Sequence, residues 1–192
     1  MVLTDASLTG GRPLLEVLGA AVDGGARAIL LREKHLPRPE RQALAAAVSA
    51  LLQPHGGVLL VASDPAIPAD GVHLAAADAF PLGLPALCGR SCHSRAEVAA
   101  AAAQGCHYAT LSPVFATASK PGYGPLLGPA ALAGHPLPVW ALGGVDAGNT
   151  GACLRAGAAG VAVMGGVMRA PDPAAAVAEL CAAVTAAGAV QP

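Results

Sequence analysis

Eight short runs of β-rich, largely apolar residues recur along the chain, with helix-like or turn-rich segments between them, and this alternation is its strongest constraint. The runs lie near Val2 to Thr4, Ala28 to Arg32, Val58 to Val61, Gly71 to Leu74, Leu87 to Ser91, Tyr108 to Leu111, Val139 to Leu142 and Gly160 to Met164. Predicted helices span Pro13 to Asp23, Pro39 to Gln53, Arg95 to Gln104, Asn149 to Ala156 and Pro173 to Ala187, several with Ser, Asp or Asn near the start and Gly near the end. Apolar runs that do not alternate with polar residues mark strands buried on both faces, as in a parallel sheet covered by helices. Eight such units predict one compact (β/α)8 TIM barrel over residues 1–192, with a doubly wound open sheet as the rival. A chain of 192 residues is short for that fold, so some connections must be trimmed. The connection between strands three and four, "ASDPAIPADG", holds two prolines and leaves little room for a helix.

Net charge is −1 and there is no basic block, which argues against nucleic acid or an anionic membrane surface as a partner. No run approaches the length of a membrane-spanning helix, and the apolar character comes largely from alanine. The start, "MVLTDASLTG", has an acid and no basic segment before an apolar stretch, so the expected compartment is the cytoplasm. Five cysteines without CxxC spacing read as reduced thiols, and Cys88, Cys92 and His93 do not have zinc-knuckle spacing.

Two runs, "VWALGG" and "GVAVMGG", end in Gly-Gly. In a barrel of this kind the loops after strands seven and eight commonly present backbone N–H groups to a phosphate. Gly143 and Gly144, with Gly165 and Gly166, would let the backbone approach such an anion, although Gly-Gly can also simply end a strand. The other predicted strand ends carry charge. Arg32 and Lys34 follow strand two, Lys120 follows strand six, and Lys34 and Lys120 are the chain's two lysines. Asp64 follows strand three and Asp78 follows strand four, so two carboxylates can share one Mg²⁺, which prefers oxygen ligands and often bridges to phosphates. An aspartate after a strand can equally be a helix cap. The pattern points to a diphosphate held by cations and Mg²⁺ beside a second, monophosphorylated substrate at the glycines.

The ordered set "LTDASL", "LLREK", "ADGVHL", "GRSCHS", "SPVFATASK", "ALGGV" and "AGAAGVAVMGGVMRAPDP" resembles the thiamine phosphate synthase and TenI superfamily over nearly the whole chain. Synthases of that family join hydroxymethylpyrimidine diphosphate to a thiazole phosphate, giving thiamine phosphate and diphosphate. The resemblance implies that Arg32, Lys34 and Lys120 neutralise the leaving diphosphate and that Asp64 and Asp78 hold Mg²⁺. It further implies that Ser91 faces the pyrimidine, that Thr117 and Ser119 line the substrate loop, and that the backbone of Gly143, Gly144, Met164 and Gly165 holds the thiazole phosphate. Ser63 takes a substrate-side position where the synthase pattern has asparagine. Leu30 replaces a glutamine, and "AAAD" keeps only Asp78 of a Gly-Gln-Glu-Asp run. TenI-type thiazole phosphate tautomerases, the sister branch, need a proton-transferring base, for which His73 and His93 are the imidazoles near the mouth. A non-catalytic thiazole or thiamine phosphate-binding regulatory paralogue would need the glycine cup alone. A homodimer is compatible with the resemblance.

Overall fold

The structure is a computed structural model that describes residues 1–81, 83, 86–117 and 125–188. Eight parallel strands follow one another in chain order around a single sheet: β1 (Val2–Leu3), β2 (Ala28–Leu31), β3 (Val58–Ala62), β4 (Gly71–Leu74), β5 (Cys88–Cys92), β6 (Tyr108–Leu111), β7 (Val139–Leu142) and β8 (Gly160–Ala162). The first and last strands meet. Val2 bridges Val163 in parallel, Leu3 N–H donates to Val163 O at 2.8 Å, and Val163 N–H donates to Met1 O at 3.0 Å, which closes the barrel. The open doubly wound alternative is thereby excluded, since an open sheet has two unpaired edges.

Side-chain alternation along these short strands separates two apolar layers. Leu3, Leu30, Leu60, Ala62, Tyr108 and Ala162 form a buried cluster, with Met1, Trp140 and Met164 packed against it, and this set fills the barrel. The residues between them, including Ile29, Leu31, Leu59, Val61, Val72, Ala109 and Leu111, belong to the larger cluster shared with the helices. Burial on both faces is why the strands read as continuous apolar runs. Large side chains inside the barrel are matched by glycines on neighbouring strands: a Cβ on Gly160 would come within 2.8 Å of the Trp140 ring.

The helices are α1 (Leu14–Asp23), α2 (Arg38–Leu52), α3 (Arg95–Ala103), α4 (Ala147–Arg155), α5 (Gly165–Met168) and α6 (Pro173–Gly188). The fourth helix begins earlier than the sequence reading placed it because Asp146 caps it. The Asp146 carboxylate accepts from Asn149 N–H while the Asn149 side chain accepts from Asp146 N–H, each at 3.0 Å. No helix joins β3 to β4, as the two prolines indicated, and the route from β6 to β7 carries only a 3₁₀ turn at Pro129–Leu132 among its described residues. The single-turn helix α5, directly after β8, was not anticipated: four residues carry no helical periodicity. No described helix is long and apolar enough to cross a membrane.

Candidate active site

The carboxyl ends of the strands surround a cavity of about 700 Å³. Its lining includes Arg32, Lys34, Ser91, Thr117, Gly143, Gly144, Met164 and Gly165, so eight of the residues singled out in the sequence meet in one space. Ser63, Asp64 and Asp78 are not among the residues that line it, whereas their chain neighbours Ala62, Ala75, Ala76 and Ala77 are. Ser119 and Lys120 lie outside the described residues.

The glycine side is fixed by backbone. Gly143 and Gly144 have φ of 93° and 63°, left-handed values that disfavour any side chain. A Cβ on Gly143 would stand 2.9 Å from Pro113 Cα, and one on Gly144 would stand 2.8 Å from Phe115 Cβ. The turn is tied down on both sides, because Phe115 N–H donates to Gly143 O at 2.9 Å and Asn149 Nδ2 donates to Gly144 O at 2.8 Å. Across from it, a Cβ on Gly165 would meet the Arg169 guanidinium, which also lines the cavity. Leu30, where the family pattern has glutamine, is 1% exposed and adds apolar lining rather than a polar contact.

The cationic side is built from side chains. Thr4, fully buried, accepts Arg32 N–H on its Oγ1 at 2.9 Å and an Arg32 Nη1 hydrogen bond on its carbonyl at 3.4 Å. Arg32 Nη1 also reaches Met164 Sδ at 2.6 Å, and Asp5 stands 3.9 Å away as a counter-charge. Between the two cations, Glu33 turns inward: it is 3% exposed and both its oxygens accept from Ala6 N–H, at 3.2 and 3.3 Å. This clamps the loop after β1 to the one after β2.

The carboxylates occupy adjoining loops. Ser63, the only non-glycine with positive φ among the described residues, at 62°, turns its hydroxyl to donate to Asp78 Oδ2. Ala75 N–H donates to that same oxygen at 2.7 Å. Burial works to raise the Asp78 pKa, but these two hydrogen bonds and the charges of Lys34 and Arg90 outweigh it and hold the group below its ordinary value. Asp64 is engaged differently: Arg38 Nε and Nη2 donate to its two oxygens at 2.8 and 3.2 Å. Arg90, 6% exposed, donates through Nη1 to the carbonyls of Ala75, Ala76 and Asp78 at 3.1, 3.0 and 2.9 Å. The short "AAAD" loop is therefore pinned from beneath by a buried guanidinium.

His73 sits at the centre of the barrel, with Nδ1 2.8 Å from Tyr108 Oη and Nε2 3.0 Å from Ser91 Oγ. Burial, reinforced by the charges of Lys34, Arg32 and Arg90, lowers its pKa to about 3, so the ring is neutral and is a poor proton acceptor. It orients Ser91. His93 lines the cavity, its Nδ1 2.8 Å from the Ser112 carbonyl. Thr4, Glu33, Arg38 and Tyr108 escaped the sequence reading. For Glu33 the only signal was its place between Arg32 and Lys34, and for the others the partner lies on another strand or loop.

The family profile described as thiamine monophosphate synthase matches residues 1–167. A putative thiamine-phosphate synthase of Geobacter sulfurreducens is 42% identical over 186 residues, covering 90% of this chain and 87% of that protein. The thiamine-phosphate synthase of Roseiflexus castenholzii is 37% identical, covering 94% of this chain and 85% of that protein. Among solved structures, a thiamine phosphate pyrophosphorylase from Pyrococcus furiosus superposes with a TM-score of 0.85 at 28% identity, covering 97% of this chain and 95% of that one.

Proposed function

Because the chain belongs to the thiamine monophosphate synthase family, we propose that it is a transferase that joins hydroxymethylpyrimidine diphosphate to a thiazole phosphate, yielding thiamine phosphate and diphosphate. The observation that carries this reading is one cavity with a glycine-walled end at β7 and β8 and a cationic end at β2, beside two carboxylate loops.

Cleaving the carbon–oxygen bond to the diphosphate places the electron pair on the leaving group and leaves a pyrimidine methylene cation. Charge therefore grows where Arg32 and Lys34 stand, and cations held in place before the reaction need no reorganisation when it occurs. Thr4 and Asp5 hold Arg32 for this task. Lys120, beyond the described residues, is the third cation of the reading. Ser91, oriented by His73, meets the pyrimidine. The Gly143, Gly144, Met164 and Gly165 backbone receives the thiazole phosphate, with Thr117 lining the cavity and Ser119 following it in sequence. Capture of the cation by the thiazole nitrogen forms the new carbon–nitrogen bond without a protein nucleophile. The depressed His73 pKa supports this reading over the tautomerase one, which needs a base and is left with His93 among the two imidazoles considered.

The donors suit Mg²⁺. Asp64 and Asp78 supply hard carboxylate oxygens, and two carboxylates leave coordination positions that Mg²⁺ ordinarily fills with water and substrate phosphate. When bound, the metal would neutralise charge on the leaving diphosphate.

The test supplies purified protein with Mg²⁺, hydroxymethylpyrimidine diphosphate and thiazole phosphate, and follows thiamine phosphate as fluorescent thiochrome. EDTA-sensitive turnover is expected. Absence of product, with thiazole phosphate still bound in calorimetry, would hand the site to the tautomerase or regulatory reading.

A further inference from the structure

We infer that Arg38 is a built-in counter-ion that occupies Asp64 until metal and diphosphate arrive and then turns to the diphosphate. The inference rests on the metal reading of Asp64 given above. Both Asp64 oxygens are taken by one guanidinium fork, Nε to Oδ2 at 2.8 Å and Nη2 to Oδ1 at 3.2 Å. A fork of this geometry is the strongest pairing that a carboxylate finds on a protein surface. Ala66 N–H also donates to Oδ1 at 3.2 Å, so Mg²⁺ approaching either oxygen meets the Arg38 fork at lone pairs already in use.

The surroundings favour exchange over a permanent bond. Arg38 is the first residue of α2 and stands between Pro37 and Pro39, which fix φ on either side, so its backbone is anchored. Its side chain is 63% exposed and retains room to move, whereas the Asp64 side chain is 14% exposed and stays in the loop after β3. Exchanging Arg38 for Mg²⁺ keeps Asp64 paired throughout, and the released guanidinium, rooted beside the β2 loop that carries Arg32 and Lys34, is delivered to the end of the mouth where the diphosphate is proposed to lie. Arg38 thus weakens binding of bare metal and strengthens binding of metal with diphosphate, which disfavours loading of the metal without substrate.

Titration of the full-length chain with Mn²⁺, read by the loss of the free-ion electron paramagnetic resonance signal, tests this without any turnover. Wild type should show a site that Asp64→Asn removes. Arg38→Gln should bind Mn²⁺ at that site roughly two- to five-fold tighter, the range set by an exposed ion pair. With Mn²⁺ saturating, the same variant should bind inorganic diphosphate more weakly by a comparable factor, and Arg38→Lys, which keeps the charge without the fork, should fall between. Unchanged or weaker Mn²⁺ binding by Arg38→Gln, with the Asp64-dependent site present in wild type, overturns the inference and leaves the metal reading intact. Tighter Mn²⁺ binding with unaltered diphosphate affinity overturns the transfer to diphosphate. Identical titrations of wild type and Asp64→Asn remove the metal reading and the inference with it.

Discussion

The two ends of the cavity are made of different materials. At β7 and β8 the wall is backbone: a left-handed Gly143–Gly144 turn where a Cβ would run into Pro113 and Phe115, and the start of α5, where a Cβ on Gly165 would meet the Arg169 guanidinium. At β2 the wall carries the Arg32 and Lys34 side chains, and the neighbouring loops after β1, β3 and β4 hold charged groups that already have partners: Asp5 with Arg32, Asp64 with Arg38, and Asp78 with the Ser63 hydroxyl, above the carbonyls that Arg90 holds. A backbone cup is complete before its ligand arrives and cannot rearrange. Under the proposed function, a paired set of side chains would exchange partners as ligand enters and so couple metal, diphosphate and bond cleavage. One end is suited to hold a passive acceptor and the other to manage a leaving group.

The largest effect should come from breaking the rigid end. Gly144→Ala introduces a Cβ against Phe115 at a φ that costs about 1–3 kcal/mol for a non-glycine residue. Calorimetry with thiazole phosphate should show binding weakened by roughly ten- to a hundred-fold, with turnover falling at least as far. Next, Asp78→Asn removes a charge at the exchanging end while keeping its shape. Turnover should drop on the order of a hundred-fold, the scale of losing one preorganised electrostatic contact, while thiazole phosphate affinity stays within about two-fold.

Arg90→Met asks whether the exchanging end needs its support. Three loop carbonyls would lose their donor, destabilising the protein by about 1–3 kcal/mol in denaturant unfolding, with the Mg²⁺ concentration for half-maximal activity rising. The effect that is smallest at neutral pH, and grows on acidification, belongs to the boundary between the two ends. His73 has a folded-state pKa near 3 against 6.5 when unfolded, so the unfolded chain binds the extra proton first as pH falls. Its contribution to stability is therefore fully present above pH 6.5 and is lost as pH falls towards about 3. His73→Gln should flatten the slope of unfolding free energy against pH in that window by up to about 1.4 kcal/mol per pH unit.

The same division explains what could be read from the sequence. All eight strands were legible, most of them as apolar runs although β5 carries Gly89, Arg90 and Ser91, and so were the Gly-Gly pairs after β7 and β8, because glycines are read locally and need no distant partner. Arg32, Lys34, Asp64 and Asp78 were found as isolated charges at strand ends. Their pairings were not, since Arg38 is 26 residues from Asp64 and Ser63 is 15 from Asp78, and only the barrel brings these loops together. Tyr108 looked like an ordinary strand aromatic until the register placed it 2.8 Å from His73. Arg90 was visible in "GRSCHS", but its role depends on β5 bringing its guanidinium to the carbonyls of the loop after β4.

The most direct test of this account is a calorimetric titration of thiazole phosphate into the Asp64→Asn/Asp78→Asn double variant, with turnover assayed on the same preparation. The account predicts that thiazole phosphate binds as it does to wild type while thiamine phosphate formation is lost. Loss of thiazole phosphate binding in a variant that still unfolds cooperatively would show that the two ends are one coupled site, and would contradict it.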